Sequence, residues 1–77
     1  MRELLEAIIE NIPEVKNLIV KQNEKFIFID RDLNSLIRIH KLINGYDVSV
    51  VKGGKGIYFN VYKTEKAVIN YVKRRLA

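Results

Sequence analysis

The sequence predicts a small α+β domain. Three features predict it: an apolar stripe at helical spacing at the front, paired β-branched and aromatic runs broken by turn residues, and a second helical stripe at the end. With 77 residues, all of 1–77 is expected to form one domain. The expected order is an N-terminal helix, an antiparallel sheet from two hairpins and a C-terminal helix, written α-ββ-α-ββ-α. A five-stranded meander between two helices is the alternative.

The first helix is expected over 2–12. Leu4, Leu5, Ile8, Ile9 and Ile12 recur at helical spacing, Arg2, Glu3, Glu6 and Glu10 lie opposite, and Pro13 stops the pattern. Val15 to Lys21 and Lys25 to Asp30 then read as a hairpin around Gln22-Asn23-Glu24. With Asn23-Glu24 as the loop, Val20 faces Ile27, Ile19 faces Phe28 and Leu18 faces Ile29. Both faces of this ribbon are apolar, so both need cover, from helices on one side and from a partner chain on the other.

Asp32 to Gly45 fits two periods. As a helix, Asp32 caps it, Leu33, Leu36, Ile37, His40 and Ile43 share a stripe, and Asn44-Gly45 stops it. As a strand, Ile37, Ile39 and Ile43 alternate with Arg38 and Leu42, and Asn44-Gly45 makes a hairpin turn. Lys41 interrupts only the strand pattern, which favours the helix.

Tyr46 to Lys52 and Gly56 to Lys63 flank Gly53-Gly54, a two-residue turn. An unbroken register sets Lys52 opposite Lys55, Val50 opposite Ile57, Val48 opposite Phe59 and Tyr46 opposite Val61, all on the core face. Tyr58 and Tyr62 then fall on the other face with Ser49 and Asn60. Thr64 caps a last helix whose buried stripe is Ala67, Val68, Tyr71, Val72 and Leu76. A shift of 31 residues lays Phe28 on Phe59 and Leu36-Ile37 on Ala67-Val68, which suggests a duplicated hairpin-helix unit.

Composition removes several function classes. There is no cysteine and one histidine, so no disulfide, thiolate metal site or zinc finger is expected. Glu3, Glu6 and Glu10 interrupt any leader-like apolar stretch, and no apolar run approaches the ~20 residues of a membrane helix. A cytoplasmic protein with no membrane contact follows as the expectation. Ser35, Ser49 and Thr64 lack the context of a hydrolase nucleophile. Asp30 and Asp32 are spaced as a Mg²⁺-binding pair could be, but a third ligand is missing, and they read more simply as a cap and an ion pair with Arg31. His40 reads as a core-edge residue. No catalytic residue, metal, cofactor or small-molecule substrate is expected.

Charge is the informative feature. The chain carries +5, but residues 1–30 carry −2 while residues 48–77 carry +6, seven cations against Glu65 alone. Such segregation suggests a footprint for a polyanion. Lys52 and Lys55 sit at a hairpin tip beside bare glycine amides, a shape that fits phosphates although it is no P-loop. Lys63 and Lys66 flank the start of the last helix, where they oppose its dipole, and Lys73, Arg74 and Arg75 end it. Tyr58 and Tyr62 supply rings for stacking on bases. The expectation is a small basic, non-enzymatic nucleic-acid-binding accessory protein, for DNA or RNA, acting through these nine residues. The competing class is a protein-interaction module or homo-oligomer that buries the same tyrosine face and the apolar first hairpin.

Overall fold

The computed structural model describes residues 1–32 and 35–76. Helix α1 (Arg2–Asn11) leads through a 3-10 turn (Pro13–Asn17) into strands β1 (Ile19–Gln22), β2 (Phe26–Asp32), β3 (Ser35–Leu42), β4 (Gly45–Lys52) and β5 (Lys55–Tyr62), and helix α2 (Glu65–Leu76) follows. The strands form one antiparallel meander in the order β1-β2-β3-β4-β5. Both helices contribute to one core with one face of this sheet. Leu4, Ile8 and Ile12 from the first helical segment, Val15 from the turn and Val68, Tyr71 and Val72 from α2 pack with Ile27, Ile29, Ile37, Ile39, Val48 and Val50. Among the described residues no helix is long and apolar enough to cross a membrane.

Within the helix favoured for Asp32 to Ile43, Ser35–Leu42 is a strand instead. Ile37 pairs with Val50 and Ile39 with Val48, and all four are fully buried. An apolar run inserted between two strands satisfies its backbone bonds on both edges, a slot that rewards β-branched side chains and overrides a helical stripe. Lys41 does no damage because it lies near the strand end, paired with Tyr46, and stays exposed. The expected cap at Asp32 therefore disappears into β2, and the duplicated hairpin-helix unit is absent. Leu33 and the side chains of Arg31 and Asp32 lie outside the described residues. The expected Asn44-Gly45 turn moves by one residue, because Leu42 pairs with Gly45 and leaves Ile43-Asn44 as the loop. Gly45 suits its place, since a Cβ there would lie 2.5 Å from the Tyr62 carbonyl oxygen.

The first hairpin also moves by one. Asn23 N–H donates to the Phe26 carbonyl, and Asn23 Oδ1 accepts from the amides of Lys25 and Phe26, so Glu24-Lys25 forms the loop. Gln22 then faces Ile27, Lys21 faces Phe28, and a bulge at Val20 sets Ile19, rather than the expected Leu18, opposite Ile29. Val15, expected in the strand, is buried in the 3-10 turn that Pro13 opens. The last helix is as expected: Thr64 Oγ1 accepts from the Ala67 amide at 3.1 Å, and Val68, Tyr71 and Val72 are buried.

Candidate functional site

The β4–β5 hairpin decides which side chains are available. Gly53 and Gly54 both adopt positive φ, +58° and +80°, and Lys52 faces Lys55 as the two-residue turn requires. The unbroken register ends one pair later. Val51 faces Gly56 but Val50 faces Tyr58, so Ile57 is an extra residue in a β-bulge. A one-residue slip sends every later side chain to the opposite face.

Tyr58 and Tyr62 therefore lie on the core side of β5 rather than on the outer side. Tyr58 stacks on Tyr71 of α2 with ring centroids 4.9 Å apart, Tyr62 tilts against the same ring at 5.7 Å, and the Tyr58 and Tyr62 hydroxyls hydrogen-bond at 2.9 Å. Hydrogen bonds from Tyr62 and Asn60 hold the Tyr58 phenol below its ordinary pKa, whereas burial and the same hydroxyl contact push Tyr62 up. These rings pack beneath α2 against Tyr71, so, contrary to the sequence expectation, the outer face does not present them for stacking on bases. Phe59, Ile57 and Val61, expected in the core, are instead 66%, 52% and 48% exposed.

The sheet face turned away from the helices is left open. One cross-strand row on it runs Lys21, Phe28, Arg38, Ser49, Phe59, and the next runs Phe26, His40, Asp47, Val61. Arg38 Nε donates to Ser49 Oγ at 3.1 Å, and His40 lies flat on Phe26 with centroids 4.3 Å apart. Beside this row a shallow concavity of about 550 Å³ is lined by Arg38, Ser49, Val51, Gly54, Gly56, Ile57, Tyr58 and Phe59. None of these is acidic, and no Asp or Glu occurs anywhere in residues 48–64. Sequence reasoning anticipated a face beyond the helices, since the first hairpin is apolar on both sides, but missed Arg38 and Phe59 on it because it placed Arg38 in a helix and Phe59 in the core.

The predicted cations divide between two ends of the molecule. Lys52 and Lys55 mark the β4–β5 tip. Lys63 and Lys66 follow the far end of β5, where Tyr62 pairs with Tyr46. Helix α2 runs back from there, so Arg74 and Arg75 come close enough to Tyr58 to lower its pKa slightly. Lys66, Asn70, Lys73 and Arg74 share one exposed stripe of the helix. The hairpin tip and the C-terminal basic cluster, expected from the sequence as two features, thus stand apart, with Lys66, Lys73 and Arg74 of the cluster on a stripe along α2. Lys52, Lys55, Lys63, Lys66, Lys73 and Arg74 make no ion pair among the described residues, whereas Arg2 pairs with Glu6 at 3.3 Å. No group of three His, Asp or Glu side chains that could hold a metal ion occurs among the described residues.

The fold and this face define a two-layer α+β domain with an uncovered, partly aromatic sheet. Comparison of the chain with protein-family models, curated proteins and solved structures finds no match.

Proposed function

We propose that this is a small, basic, non-enzymatic nucleic-acid-binding accessory protein. The observation that carries the reading is the set of six exposed cations, Lys52, Lys55, Lys63, Lys66, Lys73 and Arg74, that no carboxylate neutralises within the described residues. Unpaired lysines and arginines release counterions when they meet phosphates, so affinity falls steeply with salt and depends little on base sequence. Lys73 and Arg74 also sit at a helix C-terminus, where the dipole favours them, while Lys66 in the first turn gains nothing from that dipole. Its place is better explained by a ligand than by stability.

The test is binding to labelled oligonucleotides across about 50 to 200 mM salt, with a double charge reversal Lys66→Glu, Lys73→Glu and a second, Lys52→Glu, Lys55→Glu. Wild-type binding with a steep salt slope, flattened by either reversal, supports the reading. Absence of binding at the lowest salt removes it. The exposed Ile57, Phe59 and Val61 on edge strand β5 favour a second reading, a homo-oligomeric interaction module. A tight dimer in sedimentation at micromolar concentration that ignores oligonucleotides would establish that reading in its place.

A further inference from the structure

We infer that the open sheet face takes unpaired bases, so that the nucleic acid bound is single-stranded and lies across β3, β4 and β5. The inference rests on the function proposed above and adds which polymer is bound, and where. Phe59 presents two thirds of its surface to solvent on this face, in one row with Arg38 and the half-buried Phe28. An aromatic ring kept in water on a sheet gains by stacking, and a nucleobase offers a flat π-face only when it is not paired inside a duplex.

The concavity between Phe59 and the glycine hairpin supplies the rest of such a site. Its volume of about 550 Å³ falls in the range of small-ligand sites. Arg38 forms its wall and, among the described residues, makes one side-chain bond, through Nε to Ser49, so its terminal guanidinium nitrogens can meet an acceptor brought by the ligand. The backbone of Gly54 and Gly56 borders it without side chains, and Lys52 and Lys55 stand at the adjoining tip. With no acid in residues 48–64, this half of the face complements an anion, and an aromatic anion best of all.

A second copy of the chain fits less well. Arg38 lies on the central strand, so any face-to-face cover buries its guanidinium. The acids on the same face, Asp30 and Asp47, each lie two residues along their strands from Phe28 and Ser49, the cross-strand partners of Arg38, and neither forms an ion pair with it among the described residues. A copy that buries Arg38 would therefore have to bring it an acceptor, and a buried cation without one is costly. A duplex presents phosphates but no free π-face, and the helical cations alone would serve it.

The experiment compares a single-stranded 12-mer, in DNA and RNA forms, with the duplex of the same sequence, by fluorescence anisotropy at fixed salt. The proteins are wild type, Phe59→Ala and Arg38→Gln, with circular dichroism confirming that each variant folds. The expected result is tighter binding of the single strand, weakened about 5- to 150-fold by Phe59→Ala, the range that losing one base-ring stack spans. The salt slope should stay unchanged in that variant, because no phosphate contact is removed. Equal binding of strand and duplex, with both variants matching wild type, overturns the stacking face yet leaves the basic reading standing. Failure of wild type to bind any oligonucleotide at low salt removes the reading itself. A dimer in sedimentation that Phe59→Ala converts to monomer, with no oligonucleotide bound, assigns the face to a second copy and overturns the inference.

Discussion

Replacing Phe59 by alanine tests the bulge on which the account of the open face depends. Phe59 keeps 66% of its surface in water. A phenylalanine has about 200 Å² to cover, so about 70 Å² is covered here, and at about 25 cal/mol per Å² its loss costs at most about 1.7 kcal/mol. In the unbroken register the same ring would sit in the core, where Phe→Ala costs about 3–5 kcal/mol. Tyr58→Ala is the complement. It strips the stack on Tyr71, about 0.5–1.5 kcal/mol beyond burial, and the hydroxyl contact to Tyr62, about 0.5–1.5 kcal/mol, in addition to the area covered under α2. Urea unfolding followed by circular dichroism measures both, since changes in midpoint at constant m report stability. Tyr58→Ala should be the more damaging by about 1 kcal/mol or more. A loss of 3 kcal/mol or more for Phe59→Ala, with Tyr58→Ala nearly neutral, would refute the bulged register.

Three further outcomes follow from named contacts. Gly45→Ala forces a methyl to within 2.5 Å of the Tyr62 carbonyl oxygen, so the β4–β5 pair must shift, and a loss of about 1–3 kcal/mol is expected in the same urea assay. Thr64→Ala removes the acceptor for the Ala67 amide and should cost about 1 kcal/mol, lowering Tm by about 4–8 °C in a thermal scan. Tyrosine ionisation read by ultraviolet absorbance should be spread around the ordinary pKa of 10.0, with Tyr58 ionising early and Tyr46 and Tyr62 late. Burial, then the charges of Glu65 and Glu3, raise Tyr46, so the folded chain holds a proton that the unfolded chain releases. That contribution to stability is complete below pH 10 and is lost as pH rises through the folded value, and Tyr46→Phe should therefore lose less stability than wild type on going above pH 10.

The helices were legible because each shows a single period and a local stop or start signal: Leu4, Ile8 and Ile12 ended by Pro13, and Val68, Tyr71 and Val72 begun by the Thr64 cap. Gly53-Gly54 was legible for the same local reason, as positive φ at both positions is cheap only for glycine. What failed was non-local. Leu33 to Ile43 carries apolar residues at both helical and strand spacing, and the neighbouring strands β2 and β4 settle the choice by pairing along Ile37 and Ile39. The bulge at Ile57 has no sequence signature beyond the adjacent Gly56, yet it reverses the faces of Tyr58, Phe59, Val61 and Tyr62. The candidate site was accordingly half legible. The exposed lysines and arginines were found from charge segregation alone, but the rings beside them were assigned to the wrong side of the sheet. The unbroken alternation of residues 57–62 fits either face, and only the packing of Tyr58 and Tyr62 beneath Tyr71 decides between them.

The most direct measurement is an anisotropy titration of wild-type protein against labelled single-stranded and duplex oligonucleotides at about 50 and 200 mM salt. Both should bind, the single strand more tightly, and affinity should fall several-fold or more between the two salts. No binding of either polymer at about 50 mM salt would contradict the proposed function, because the exposed cations of α2 and the hairpin tip would then be ordinary solvated surface.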